Sequence, residues 1–244
     1  MKISIIVPVL NEDAVLRRTL DTLERLSDVE ILLVDGGSTD GTVGLLQAWS
    51  EQPASQQRIF IHGERGRARQ MNAGAKRATG EILLFLHADS LLPAGAIDAV
   101  AEAMRSPRVG GGAFRLKIDS GHFFLKIVER LVHLRSRLLD LPYGDQGIFV
   151  RREIFERLGG YADLPLMEDV DFIRRLKRAG RMVLLEAAIT TSPRRWLREG
   201  VYYASFRNLI LLSLYFMGVH PRRLAHWYRS GGEEKSVPPS DLVG

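Results

Sequence analysis

The chain has 244 residues, 45% of them hydrophobic and 26% charged, which suits one sizeable core with a C-terminal extension. It contains no cysteine, which excludes disulfides, thiolate metal sites and a thiol nucleophile. A net charge of +5 and a sequence pI of about 9.7 fit anionic partners such as nucleotides, phosphates or anionic lipid, or simply a well-solvated basic surface.

Residues 2–7 form a β-branched run that predicts a first strand, stopped by Pro8. No small-residue cleavage site follows it, and no stretch before residue 200 is long enough to span a bilayer. A cytoplasmic chain is expected, free or at the inner face of the membrane. Asn11 is placed to cap a helix carrying Leu16, Leu20 and Leu23. Residues 30–34 read as a second buried strand. It ends in Asp35 and a glycine-rich turn where Ser38, Thr39 or Asp40 can cap the next helix, through Ser50. Residues 58–62 predict a third strand. Residues 66–79 predict a helix stopped by Gly80.

The run ILLFLHADSL, residues 82–91, predicts a buried parallel strand that delivers His87 and Asp89 to the C-terminal edge of a sheet. Ligands of open α/β sheets bind at that edge. Pro93 is expected to open a helix to about Arg105. The strand–helix alternation predicts a mostly parallel, doubly wound α/β sheet flanked by helices.

The rhythm then changes. Residues 113–118 read as a strand after the triad Gly110, Gly111 and Gly112, and residues 122–139 as a long helix. Asp145 and Gln146 lie between Gly144 and Gly147 on a turn before a strand at residues 148–151; the turn is either structural or acceptor-facing. Residues 154–158 predict a short helix. Glu168, Asp169 and Asp171 occupy the first turn of another, with Lys177 and Arg178 in its last, an order that suits the helix dipole. Two strands follow, at 182–185 and 188–191. Arg194 and Arg195 carry forked donors suited to a diphosphate, and Trp196 is either a sugar platform or core.

Taken singly, Asp35 reads equally as a turn residue, Asp89 as a helix cap, and Glu168 with Asp169 as helix-end charges. As an ordered set they are more specific. The segments IIVPVLNE, LLVDGGSTDGT, GRARQMNAGAKRATGEILLFLHADS and MEDVDF resemble the successive motifs of family 2 glycosyltransferases with the GT-A fold, over about the first 190 residues. LHAD, YGDQGIFVRR and RRW are similar to a bacterial subgroup, some members of which carry an arsenosugar-biosynthesis label.

That resemblance implies inverting transfer of a sugar from a nucleotide-diphospho-sugar, UDP-linked by preference, to an acceptor hydroxyl. It places Pro8, Asn11 and Glu12 beside the nucleoside, Asp35 on the base, and Arg67 and Asn72 across the donor. His87, Ala88 and Asp89 fall at the metal motif, where Asp89 would hold Mn²⁺ or Mg²⁺. Asp169, with Glu168 beside it, falls at the catalytic base. His87 replaces the usual first Asp of that motif; it either contacts ribose or metal, or only bonds locally. Asp145, Gln146 and Trp196 are assigned to the acceptor side, Arg194 and Arg195 to the donor. The alternatives are a nucleotidyltransferase-like enzyme, which would carry a basic Gly-rich loop where this chain has PVLNE, and a non-catalytic nucleotide-sugar-binding protein.

The expected organisation is a catalytic domain over 1–197 (a nucleotide half, 1–105, and an acceptor half, 106–197), a helical extension over 198–229 and a disordered tail over 230–244. The extension is strongly apolar with basic and aromatic residues after it. It is expected to pack on the catalytic domain, with membrane-surface contact or a homodimer as alternatives. No nucleic-acid partner is expected.

Overall fold

The computed structural model describes residues 1–139 and 141–233; of Leu139 and residues 229–233 only the backbone is described. The strands β1 (Ile3–Val9), β2 (Val29–Asp35) and β4 (Ile82–Phe85) are buried at every position, the pattern of strands covered on both faces. β1 lies between β2 and β4, and β3 (Gln57–His62) lies outside β2, all pairing in parallel. The connections are the helices α1 (Asp13–Glu24), α2 (Thr42–Ser50) and α3 (Arg67–Arg77). The chain steps outward from β1 to β3, then returns past β1 to form β4 on its other side. The winding direction therefore reverses between β1 and β4, and the residues just past these strands, 10–12 and 86–89, flank the crevice where open sheets take ligands.

α3 lies close to the sheet because Gly74 has no side chain: a Cβ there would stand 2.5 Å from Ile6 Cγ2. Gly80 has a similar reason. It is not the end of α3 but passes within contact of β1, where a Cβ would meet Ser4 Oγ at 2.6 Å. Beneath it, the buried Glu30 carboxylate accepts from Ser4 Oγ at 2.5 Å and from the Thr79 amide at 2.7 Å, with Lys2 Nζ 3.9 Å away.

Past β4 come β5 (Ser90–Leu91), α4 (Ala96–Ala103), β6 (Val109–Ile118), α5 (Phe123–Leu139), a 3₁₀ turn (Gly144–Gln146), β7 (Ile148–Arg151), α6 (Arg152–Arg157), α7 (Glu168–Ala179) and β8 (Arg181–Thr191). The sheet order is β3-β2-β1-β4-β7-β6-β8-β5. β7 runs antiparallel to both β4 and β6, β5 antiparallel to β8, and β6 parallel to β8. The doubly wound parallel half thus continues into a mixed half.

Several boundaries differ from the sequence reading. Pro8 does not stop β1 but lies within it, opposite Val34 of β2 and beyond the last β1–β4 pair. The glycine triad lies inside β6, because its neighbours press on it: a Cβ at Gly111 would stand 2.5 Å from Phe149 O. The two strands expected at 182–191 are one, kept in register with β6 through irregular steps. α4 starts at Ala96, after Gly95 turns the chain with φ 71°, and not at Pro93.

The described chain divides into two units, Met1–Asp163 with Glu168–Pro193, and Leu164–Met167 with residues from 194 onward. The second unit holds α8 (Arg194–Glu199), α9 (Val201–Phe216) and α10 (Pro221–Glu233). α10 extends past residue 230, where the tail was expected to begin; residues 234–244 lie outside the described residues.

Candidate functional site

The loops after β1 and β2 are stitched together. Asn11 takes a left-handed φ of 54°. Its amide donates to Ser38 Oγ at 2.9 Å, and its Oδ1 accepts from the Thr39 amide at 2.8 Å. Asn11 therefore clasps two loops and does not cap α1, which has no side-chain cap. The Glu12 amide donates to Thr42 Oγ1 at 2.9 Å. Asp40 Oδ1 accepts the Thr42 amide at 3.0 Å, so Asp40 serves the start of α2.

Asp35 is only 2% exposed. Its Oδ2 accepts from the Gly37 amide at 2.8 Å and both its oxygens from the Ser38 amide, at 3.2 and 3.1 Å. Asp35 thus shapes the loop past β2. Gln70, which the sequence reading passed over, donates to Val9 O and Val34 O, each at 2.8 Å. It ties the C-terminal ends of β1 and β2, and Gly36 leaves it room: a Cβ there would stand 2.8 Å from Gln70 Cδ.

ILLFLHADSL is a strand, a turn and a second strand. The Leu86 amide donates to Ile6 O at 3.0 Å, and the Ser90 amide closes back on His87 O at 3.1 Å. Thr19 Oγ1 donates to Ala88 O at 2.7 Å, and the Ser192 amide donates to Asp89 O at 3.2 Å. The turn is fixed from both flanks. Ala88 is buried, with half-buried His87 and Asp89 on either side.

α7 brings the other carboxylates. Glu168 is 2% exposed, and its Oε1 lies 2.5 Å from Arg67 Nε. Arg67 Nη1 lies 3.5 Å from His87 Nε2. One guanidinium thus joins the start of α3, the start of α7 and the turn past β4. Burial pushes the Glu168 carboxyl up, against the opposing charge of Arg67. Asp169, half-buried, accepts from the Gly144 amide at 2.7 Å through Oδ2 and from the Val170 amide at 2.8 Å through Oδ1. A Cβ on Gly144 would stand 2.9 Å from His87 Nε2 and 3.2 Å from Asp169 Oδ2. A bare glycine therefore separates the imidazole from the carboxylate.

Gln146 holds the turn that presents Gly144. Its Oε1 accepts from Ser136 Oγ at 3.0 Å and the Tyr143 amide at 3.1 Å, while its Nε2 donates to Phe114 O at 3.0 Å. It is wholly buried, so the acceptor-side role expected for it is corrected to a structural one. Asp145 stays half-buried on the same turn. Asn72 is corrected likewise: Nδ2 donates to Tyr161 O at 2.8 Å and Oδ1 accepts the Tyr161 amide at 2.9 Å, so both ends of its amide hold backbone. Burial pushes the Tyr143 hydroxyl up to about 12 and the buried Tyr161 hydroxyl well above its ordinary value, with Asp169 adding to each shift. Both phenols keep their protons at neutral pH, which leaves the carboxylates as the bases of this region.

Arg194, Arg195 and Trp196 belong to the second unit. Arg195 Nη1 donates to Tyr228 Oη at 3.3 Å. Trp196 is buried, which fits the core alternative of its two readings.

Among the described residues no three His, Asp or Glu side chains cluster as a metal cage. In the turn past β4, Asp89 offers a hard carboxylate to the crevice, and His87 Nε2 is turned toward Arg67 and Gly144. One protein carboxylate with the remaining ligands from phosphate oxygens and water is a donor set that Mg²⁺ and Mn²⁺ accept. The residues present fit a cation that takes part of its ligands from a diphosphate.

Residues 4–159 match the family model described as glycosyl transferase family 2. The chain belongs to this family. A PGL/p-HBAD biosynthesis glycosyltransferase of Mycobacterium tuberculosis is 37% identical over 170 residues, covering 65% of this chain and 62% of the relative. An undecaprenyl-phosphate 4-deoxy-4-formamido-L-arabinose transferase of Sodalis glossinidius is 32% identical over 158 residues, covering 62% of this chain and 48% of the relative. The chain thus spans less than two thirds of the length of these relatives. Among solved structures, a mannosyltransferase from Pyrobaculum calidifontis in complex with GDP-Man and Mn²⁺ is 21% identical with a TM-score of 0.66, over 94% of this chain and 68% of that one. S. aureus TarS 1–349 in complex with UDP-GlcNAc is 18% identical with a TM-score of 0.62, over 79% of this chain and 58% of that one. The fold of the family 2 chain is GT-A.

Proposed function

We propose that this family 2 chain transfers a glycosyl residue from a nucleotide-diphospho-sugar to an acceptor hydroxyl, with inversion at the anomeric carbon. The observation that carries the reading is that Asp169, at the start of α7, and His87, two residues before Asp89 in the turn past β4, both approach Gly144. Names of relatives and the donors bound to structural neighbours support the donor class.

The crevice between β1 and β4 receives the nucleotide diphosphate, with the clasped loops of Asn11, Glu12 and Asp35 forming its nucleoside wall. Asp89 holds a divalent cation, which when bound offsets the charge of the departing diphosphate. The acceptor oxygen forms its bond to the anomeric carbon as the bond from that carbon to the phosphate oxygen breaks. The electron pair leaves with the nucleoside diphosphate. Asp169 takes the acceptor proton. The Gly144 amide holds its Oδ2 in place at the first turn of α7. Arg67, neutralised in part by Glu168, keeps positive charge beside His87 and the diphosphate side of the crevice.

Thermal shift against a panel of nucleotide sugars, with and without Mn²⁺, tests the donor site. A donor present at about 100 times its Kd stabilises the fold by about 2.7 kcal/mol if it binds only the native state. Asp89→Ala should remove the Mn²⁺-dependent part of that rise. A nucleotide-sugar shift of equal size in Asp89→Ala and wild type, with and without Mn²⁺, would contradict the assignment.

A further inference from the structure

α9 is turned inside out. A surface helix normally buries its apolar stripe and shows water its charged face. Here Arg207, the sole charged residue between Val201 and Phe216, is buried, with its Nη2 2.5 Å from Glu199 Oε2 and its guanidinium carbon 4.4 Å from the Tyr228 ring centroid. The outward face carries Tyr202, Phe206, Leu209, Ile210, Phe216 and Met217, with Phe206 65% and Leu209 60% exposed. Tyr202, Phe206, Leu209 and Ile210 recur at three- and four-residue steps and share one face, and Phe216 and Met217 return to that side beyond Ser213. Trp227 of α10 is 51% exposed, Arg222 and Arg223 are exposed four and five residues before it, and Arg198 of α8 is exposed with its Nη2 3.7 Å from Glu199 Oε1. Among the described side chains of α8, α9 and α10 the sole acidic one is Glu199, which is consumed by Arg207.

We infer that this unit docks on an anionic phospholipid surface, with α9 lying in the interface plane. α9 is about 24 Å long, short of the roughly 30 Å hydrocarbon core, and no described helix is long and apolar enough to cross a membrane. Exposed large apolar side chains with Tyr and Trp, beside the exposed Arg222 and Arg223, match lipid acyl chains below and anionic headgroups above. A second copy of the chain fits less well. A two-fold contact sets the same patch against itself, and here that would bring arginine toward arginine. The inference is independent of the catalytic reading, because it needs no substrate.

Flotation of the full chain with vesicles of phosphatidylcholine, alone and mixed with phosphatidylglycerol, tests it. The chain should float with the mixed vesicles and be released by high salt. Replacing both arginines, Arg222→Gln with Arg223→Gln, should lower partitioning about 30-fold, from about 1 kcal/mol for each. Phe206→Ser with Leu209→Ser should abolish flotation. Both pairs alter exposed side chains, and circular dichroism and the wild-type Tm confirm that the variants remain folded. Failure of the folded full chain to float, or equal flotation by the variants, overturns the proposal. So does a dimer in sedimentation that Phe206→Ser dissolves while flotation is absent, or flotation that appears only when the chain is ended at Glu233.

Discussion

The Gly144 amide donates to Asp169 Oδ2 at 2.7 Å, and the space where a Gly144 side chain would sit is bounded by that same oxygen and by His87 Nε2. A carboxylate oriented by a backbone amide is held by the fold and not by a mobile side chain. Its second neighbour, an imidazole, comes from the turn that also bears Asp89. The proposed base and the turn that bears the proposed cation ligand thus meet at one glycine.

Gly144→Ala tests that arrangement. The added methyl would stand 2.9 Å from His87 Nε2 and must displace either the imidazole or the carboxylate. Misplacing a reacting group by about 1 Å costs about 100-fold in rate. Turnover should fall by about that factor, while donor affinity changes little, since Asp89 and the β1–β2 loops are untouched. Steady-state kinetics beside donor titration checks the split.

Glu168 makes a different prediction because burial raises its pKa. A carboxyl whose folded pKa is raised gives stability that is full below the ordinary carboxylate range and is lost as pH rises through the raised value. Wild-type Tm should therefore decline across that window. Glu168→Gln, which keeps the shape and removes the titration, should flatten that decline; Tm against pH for the two chains measures it.

Glu30 behaves in the opposite sense. Burial pulls its carboxyl up, but the bonds from Ser4 and Thr79 and the Lys2 charge outweigh burial and leave the pKa below its ordinary value. Its stabilisation is present above the ordinary range and disappears as pH falls through the lowered value. Glu30→Ala should cost about 3 kcal/mol at neutral pH, since it strands buried donors of Ser4 and Thr79. The deficit should shrink in acid; urea denaturation at two pH values checks both statements.

The parallel half of the fold was legible because β1, β2 and β4 are apolar along their length and are punctuated by glycine and polar residues. The mixed half was less so. The triad from Gly110 to Gly112 looked like a turn, because nothing local tells that Phe149 and Val183 crowd the strand from both sides. At the site, Asp89 and Asp169 could be picked out by their positions at a strand edge and a helix start. The contact of Arg67 with Glu168, and the joint approach of His87 and Asp169 to Gly144, link segments far apart in sequence and leave no local periodicity to read. Asn72 and Gln146 show the converse error. Each is polar, each lies in a motif, and each uses its side chain to satisfy buried or loop backbone instead of facing ligand.

The most direct test of the account is release of nucleoside diphosphate from a matched donor, with Mn²⁺ and acceptor, by Asp169→Asn beside wild type. Asparagine preserves size and can still accept the Gly144 amide, but it cannot take the acceptor proton. Donor affinity should stay within about threefold of wild type while turnover drops by about a thousandfold. Near-wild-type turnover in Asp169→Asn would contradict the assignment of Asp169 as the base.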